Sequence, residues 1–124
     1  MIYLDTHVII WLYEGLLDKF TAKAKDYLGN HELIISPMVY LEIQYLYEIK
    51  RVKLGAAKII DYLVTKLGLT VSNESFMQIT QIASAMNWTR DPFDRIIVAN
   101  AKMHEALLLT KDESIQRHYK HAIW

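Results

Sequence analysis

Residues 1–13 read Met1-Ile2-Tyr3-Leu4-Asp5-Thr6-His7-Val8-Ile9-Ile10-Trp11-Leu12-Tyr13, and the fold turns on how they are parsed. Ile2 to Leu4 is a short apolar run that suits a buried strand, and His7 to Tyr13 is a mostly apolar helix that follows it directly. The carboxylate of Asp5 stands between them. The chain therefore opens strand, acid, helix.

The same alternation continues outward. A polar helix near Thr21 to Leu28 precedes a strand at Leu33 to Ile35. Ser36-Pro37 then starts a third helix, with Ser as N-cap and Pro in the first turn, running to about Lys50. A fourth helix spans Ala56 to Leu67 after Gly55. A brief strand at Leu69 to Val71 and a fifth helix from Glu74 to about Met86 come next. Asp91-Pro92 starts a sixth helix that ends near His104. Ala106 to Thr110 is a strand, Glu113 to His118 a short helix, and His121 to Trp124 an edge strand. Short apolar strands between longer helices predict an α/β fold with a mainly parallel sheet covered on both faces. No repeat or linker divides the chain, so one domain over residues 1–124 is expected. Ligands of such sheets bind beyond the carboxyl ends of the strands.

The totals narrow the chemistry. The 124 residues include no cysteine, which removes disulfides and Cys-based zinc sites; any metal must be held by oxygen or imidazole. The N-terminus has no basic segment ahead of an apolar run, and charged residues interrupt every apolar stretch. The expectation is a soluble cytoplasmic protein without signal peptide or membrane span. Fourteen basic and fourteen acidic residues cancel, so the broad positive field of many nucleic-acid binders is missing. A metalloenzyme can still look neutral, because its acidic ligands offset basic residues used elsewhere.

Several acids occupy positions that a structural role does not require. Asp5 follows the first strand and Asp112 follows Leu107 to Thr110, so both belong at one rim of the sheet; capping the helices behind them is the competing explanation. On the third helix Met38, Val39, Glu42, Ile43, Leu46 and Ile49 share one stripe, which gives Glu42 a core-facing slot. A buried carboxylate needs a cation, a basic partner or a lined cavity, and a buried ion pair is the alternative to a site. Asp94 shares a stripe with Ile97, Val98 and Ala101, although Asp91, Pro92 and Asp94 also make an ordinary acidic helix start. Acids at two strand ends and on two helix faces describe an oxygen-lined pocket, which suits magnesium or manganese. Such ions engage phosphates, so phosphodiester hydrolysis by metal-activated water is the expected chemistry.

Four blocks carry a family resemblance: Tyr3-Leu4-Asp5-Thr6-His7, Ser36-Pro37-Met38-Val39-Tyr40-Leu41-Glu42-Ile43, Arg90-Asp91-Pro92-Phe93-Asp94-Arg95-Ile96-Ile97-Val98-Ala99-Asn100-Ala101, and Leu109-Thr110-Lys111-Asp112. In this order they resemble the signatures of PIN-domain ribonucleases, close to VapC-type toxins of toxin-antitoxin pairs. The resemblance implies a PIN-like three-layer sandwich and a Mg2+-dependent (or Mn2+-dependent) endoribonuclease. It makes Asp5, Glu42 and Asp94 the metal-ligating core acids, Asp112 the fourth catalytic acid, Asp91 an auxiliary acid near the rim, and Thr6 a small polar auxiliary beside the first. It also implies RNA as substrate, a homodimer, and a VapB-type antitoxin whose peptide lies in a groove between the early helices.

Other features fit less specific roles. Lys50, Arg51, Lys53 and Lys58 are the densest basic stretch and a candidate for steering RNA. The aromatics Trp11, Tyr13, Tyr40, Tyr45 and Tyr47 exceed what a small core needs. Arg95 could meet phosphate or an acid, and His7 suits a rim contact. No pair among the five histidines shares a helix face suited to a metal. The competing functions are a phospho-acceptor receiver domain, disfavoured because Thr6 and not a second acid follows Asp5, and a PIN fold kept as a non-catalytic scaffold.

Overall fold

A computed structural model describes all 124 residues. Its sheet has five parallel strands: β1 (Ile2–Leu4), β2 (Leu33–Ile35), β3 (Thr70–Val71), β4 (Leu107–Leu109) and β5 (Ala122–Ile123), in the spatial order β3-β2-β1-β4-β5. Seven helices flank it: α1 (Thr6–Glu14), α2 (Ala22–Asn30), α3 (Pro37–Glu48), α4 (Ala56–Leu67), α5 (Phe76–Ser84), α6 (Pro92–Lys102) and α7 (Glu113–His118). The expected three-layer α/β sandwich is the architecture found.

β1 is central, and Ile2, Tyr3 and Leu4 are all buried because helices cover both faces of a parallel sheet. The two-residue strand β3 at one edge is exposed, which keeps that edge short. Side-chain caps start most helices where the sequence places them. Ser36 Oγ accepts from the Met38 N–H at 3.1 Å with Pro37 behind it, and Thr21 Oγ1 accepts from the Ala24 N–H at 2.9 Å. Gly68 ends α4 at φ 68°, a left-handed conformation that a side chain would strain.

Element boundaries differ from the expectation in places, and one element is added. α5 begins at Phe76, not Glu74, because Ser75 Oγ caps it by accepting from the Gln78 N–H at 3.3 Å. α3 stops at Glu48, Lys50 takes a positive φ of 64°, and Ile49 is left 44% exposed outside the apolar stripe assigned to it. A 3₁₀ turn at Leu17–Lys19, too short to show periodicity, links α1 to α2. No helix is long and apolar enough to cross a membrane.

The chain crosses from one side of β1 to the other between β3 and β4, so connections diverge at the carboxyl ends of β1 and β4. That divergence opens a crevice at the sheet's rim.

Candidate active site

Leu4 of β1 lies opposite Leu109 of β4, so the residues leaving the two strands emerge side by side. The Asp5 N–H donates to the Leu109 carbonyl at 3.1 Å. The Thr110 hydroxyl donates to Asp5 Oδ2 at 2.6 Å, and the Thr6 N–H donates to Asp5 Oδ1 at 2.8 Å. Both oxygens of a carboxylate only 8% exposed are thus held in place. Burial raises its pKa above the usual carboxylate range, and the two hydrogen bonds oppose that rise.

Glu42 reaches the same place from α3. Its Oε1 accepts a short hydrogen bond from the buried Thr6 hydroxyl. Burial pushes its carboxyl up to about 7; the Thr6 bond opposes the rise, and the charges of Asp5 and Asp91 add to it. Asp94, on the first turn of α6, is also pushed up to about 7. Burial is the main cause there, with Asp91, Asp5, Asp112 and Glu42 adding like charge. No hydrogen bond eases Asp94.

Asp91 and Asp112 serve two purposes. Asp91 Oδ1 caps α6 by accepting from the Phe93 N–H at 2.8 Å, and Asp112 Oδ1 caps α7 by accepting from the Ile115 N–H at 3.0 Å. Both also line one cleft of about 470 Å3 with Asp5, Glu42, Asp94 and Glu113. The capping explanation of Asp112 is therefore correct without removing it from the site. All four core acids and Asp91 come together, and Thr6 sits beneath them.

The buried ion pair considered for Glu42 is not what forms. The only acid–base side-chain contact at ion-pair distance is His104 with Glu74, 2.8 Å apart and not among the cleft's lining residues. Arg95 turns away from the acids, its Nε donating to the Thr89 carbonyl at 2.8 Å. No three of the acidic or imidazole groups stand at the spacing of a formed coordination shell.

Sequence reasoning assigned no site role to Thr110, Lys111 or Glu113 and read Trp11 only as one of the surplus aromatics, although Trp11, Lys111 and Glu113 line the cleft and Thr110 holds Asp5. The signal for Thr110 was available: a hydroxyl at the end of the strand expected to share a rim with Asp5. His7 is at the rim as expected. Of the basic stretch, Arg51 and Lys53 line a separate groove with Tyr13 and Glu14.

Fold and site together define a parallel α/β protein with a carboxylate-lined cleft at the point where its crossovers diverge. Residues 2–121 match the PIN domain, and the chain belongs to the PIN-domain family. Ribonuclease VapC22 of Mycobacterium tuberculosis is 27% identical along an alignment of 124 positions that covers 94% of this chain and 91% of that protein. Two solved structures share the fold at low identity. One is VapBC2 from Rickettsia felis bound to a DNA fragment from their promoter (TM-score 0.69, 19% identity, 99% of this chain and 96% of that one). The other is a toxin-antitoxin complex from Klebsiella pneumoniae (TM-score 0.68, 18% identity, 100% and 97%). The receiver alternative is set aside by this membership and by the strand order, since receivers follow a 2-1-3-4-5 order.

Proposed function

We propose that this chain is a magnesium-dependent endoribonuclease and the toxin of a type II toxin-antitoxin pair. One observation carries the reading: Glu42 and Asp94 line a shared cleft with no basic side chain paired to either, at positions where burial and neighbouring carboxylates raise both to about 7. Structural acids are normally relieved by a partner, so carboxylates left this way fit a site that takes its positive charge from outside.

The donor set is oxygen only, which fits a hard divalent ion. Asp5, Glu42 and Asp94 would hold magnesium, or manganese in its place, with Asp112 as the fourth catalytic acid and Asp91 as an auxiliary. Bound there, the ion would activate water and neutralise charge on the phosphate oxygens. The remaining work falls to the chain itself. Thr110 and the Thr6 N–H fix both oxygens of Asp5, and the Thr6 hydroxyl aims Glu42, which gives Thr6 a positioning role. Asp94 keeps both oxygens free of protein donors. Water is the nucleophile, the P–O3′ bond breaks with the 3′-oxygen leaving, and the ribose 2′-hydroxyl takes no part, so the products carry 5′-phosphate and 3′-hydroxyl ends.

The names of the relatives support an RNA substrate and a VapB-type antitoxin. Tyr40, Leu41 and Tyr45, each 40% exposed or more on α3, supply apolar surface for a homodimer or that antitoxin. An intracellular RNA target makes the cytoplasm the place of action.

Incubating RNA with the protein in magnesium, in chelator, and after Asp94→Asn tests the reading. Cleavage should occur only with unsubstituted protein and metal. A non-catalytic scaffold would cut in none of the three, and 2′,3′-cyclic phosphate ends would exclude the water route.

A further inference from the structure

The rim of the cleft carries an aromatic and cationic group that the acids do not explain. Trp11 lies one helical turn beyond His7 on α1, on the same face, with the two rings 5.9 Å apart. It lies six positions after Asp5, about 9 Å of helix rise, and side chains of a helix lean toward its N-terminus. The indole therefore leans back toward the acids and lines their cleft, as well as an adjoining groove. Phe20 and Trp124 meet it at interplanar angles of 87° and 62°, buttressing the ring without stacking on it.

Lys19 Nζ and Lys111 Nζ lie 5.2 and 5.8 Å from the centre of the indole ring. Six acids line the cleft that Lys111 also lines, yet neither lysine pairs with any of them. Attraction to the electron-rich indole holds these ammonium groups against Trp11 and off the acids. A lysine that dropped into the cleft would neutralise Glu42 or Asp94 and displace the cation the acids are arranged for. A base that stacks on the indole takes the place of the lysines on its face, and the displaced ammonium groups are then free to meet the phosphates that flank it.

We propose that Trp11 is a base-stacking platform that seats one nucleotide of single-stranded RNA beside the acidic cleft, with Lys111 and Lys19 holding the phosphates that flank it. The choice of RNA rests on the nuclease reading above. An aromatic face accepts any unpaired base, and ammonium groups beside it accept the backbone, which is the chemistry of single-strand recognition. Bases inside a duplex are already stacked and cannot use it. The positive charge is local, which suits a chain whose net charge is zero.

The test is binding of a labelled single-stranded RNA octamer, followed by anisotropy in chelator on the Asp94→Asn background so that nothing is cut. Trp11→Leu should weaken binding about tenfold, and Trp11→Phe should recover part of the loss. Lys111→Gln should reduce the slope of log affinity against log salt by about 0.7. If Trp11→Leu fails to fold, Trp11→Phe, Lys111→Gln and quenching of tryptophan fluorescence by RNA decide the matter. Equal binding by parent and Trp11→Leu, equal binding of duplex, or no binding by the parent would overturn the platform. So would loss of a protein partner with RNA affinity intact, which would make this a protein-docking face. Cleavage separates the two readings. If metal-loaded protein cuts the octamer and Trp11→Leu does so with unchanged KM, the platform falls and the nuclease stands. If nothing is cut but Trp11-dependent binding persists, the nuclease falls and the platform stands.

Discussion

Two polar clusters are built around the central strand, and they are resolved in opposite ways. Tyr3, Ser72 and Asn100 form a neutral one: the Tyr3 hydroxyl donates to Ser72 Oγ at 3.4 Å, and Asn100 Nδ2 donates to Tyr3 Oη at 3.2 Å and to Ser72 Oγ at 3.0 Å. Only Asn100 Oδ1 lacks a partner. Two residues along the chain from Tyr3, Asp5 begins the acidic cleft, where charges of one sign accumulate and Asp94 has no donor. Donors and acceptors in the neutral cluster largely complete one another, so it closes on itself and locks β1 to α6 and the end of β3. Carboxylates offer acceptors alone. Threonine donors serve Asp5 and one oxygen of Glu42, but Asp94 can be completed only from outside.

The contrast breaks most sharply at Asp94. Asp94→Asn removes one charge from the acidic cluster while keeping its shape, and should lower the rate of RNA cleavage by roughly 100-fold or more. The same substitution should raise the melting temperature measured in chelator, because repulsion with Asp91, Asp5, Asp112 and Glu42 is relieved. A variant that lost activity and also melted lower would mean that Asp94 supports the fold.

Proton linkage sharpens the comparison next. The carboxyls of Glu42 and Asp94 titrate at about 7 in the folded chain, against ordinary values of 4.5 and 3.8. Between those limits the folded state binds protons that the unfolded chain has released. Their contribution to stability is therefore fully present near pH 4 and is lost as pH rises through about 7. Thermal melts in chelator should fall by several degrees from pH 5 to pH 8, and saturating magnesium at pH 8 should restore most of the loss. A melting temperature unmoved over that range in chelator would show that the two acids are already compensated.

The smallest effect belongs to the neutral side. Tyr3→Phe removes the hydroxyl shared by Ser72 and Asn100 and should cost about 1–2 kcal/mol in urea denaturation. Cleavage per folded molecule should be unchanged, and magnesium should stabilise the variant as much as the parent. A changed response to magnesium would mean that the two clusters are coupled through β1.

The acids of the cleft were legible to different degrees. Asp5 and Asp112 could be found from strand ends, because a short apolar run between helix signals marks where a strand stops. Glu42 stood out as a polar residue on an apolar stripe, but the stripe promised the core; the residue faces the edge of a cleft, and Ile49 at the far end of the stripe is exposed. Thr6 was noticed beside Asp5, whereas its bond to Glu42, 36 residues away, depends on how α3 crosses α1. Thr110 meets Asp5 across 105 residues, a contact set by the pairing of β1 with β4.

Local chemistry determined the alternation of strands and helices, the caps at Ser36, Asp91 and Asp112, and the presence of acids at the rim, since periodicity and turn preferences act within a few residues. Tertiary structure alone decided that these acids would meet without a lysine or arginine between them, which oxygens the two threonines would hold, and that Lys19 and Lys111 would settle against Trp11. Those outcomes depend on distance and solvation among residues far apart in the chain, and neither quantity exists until the sheet has assembled.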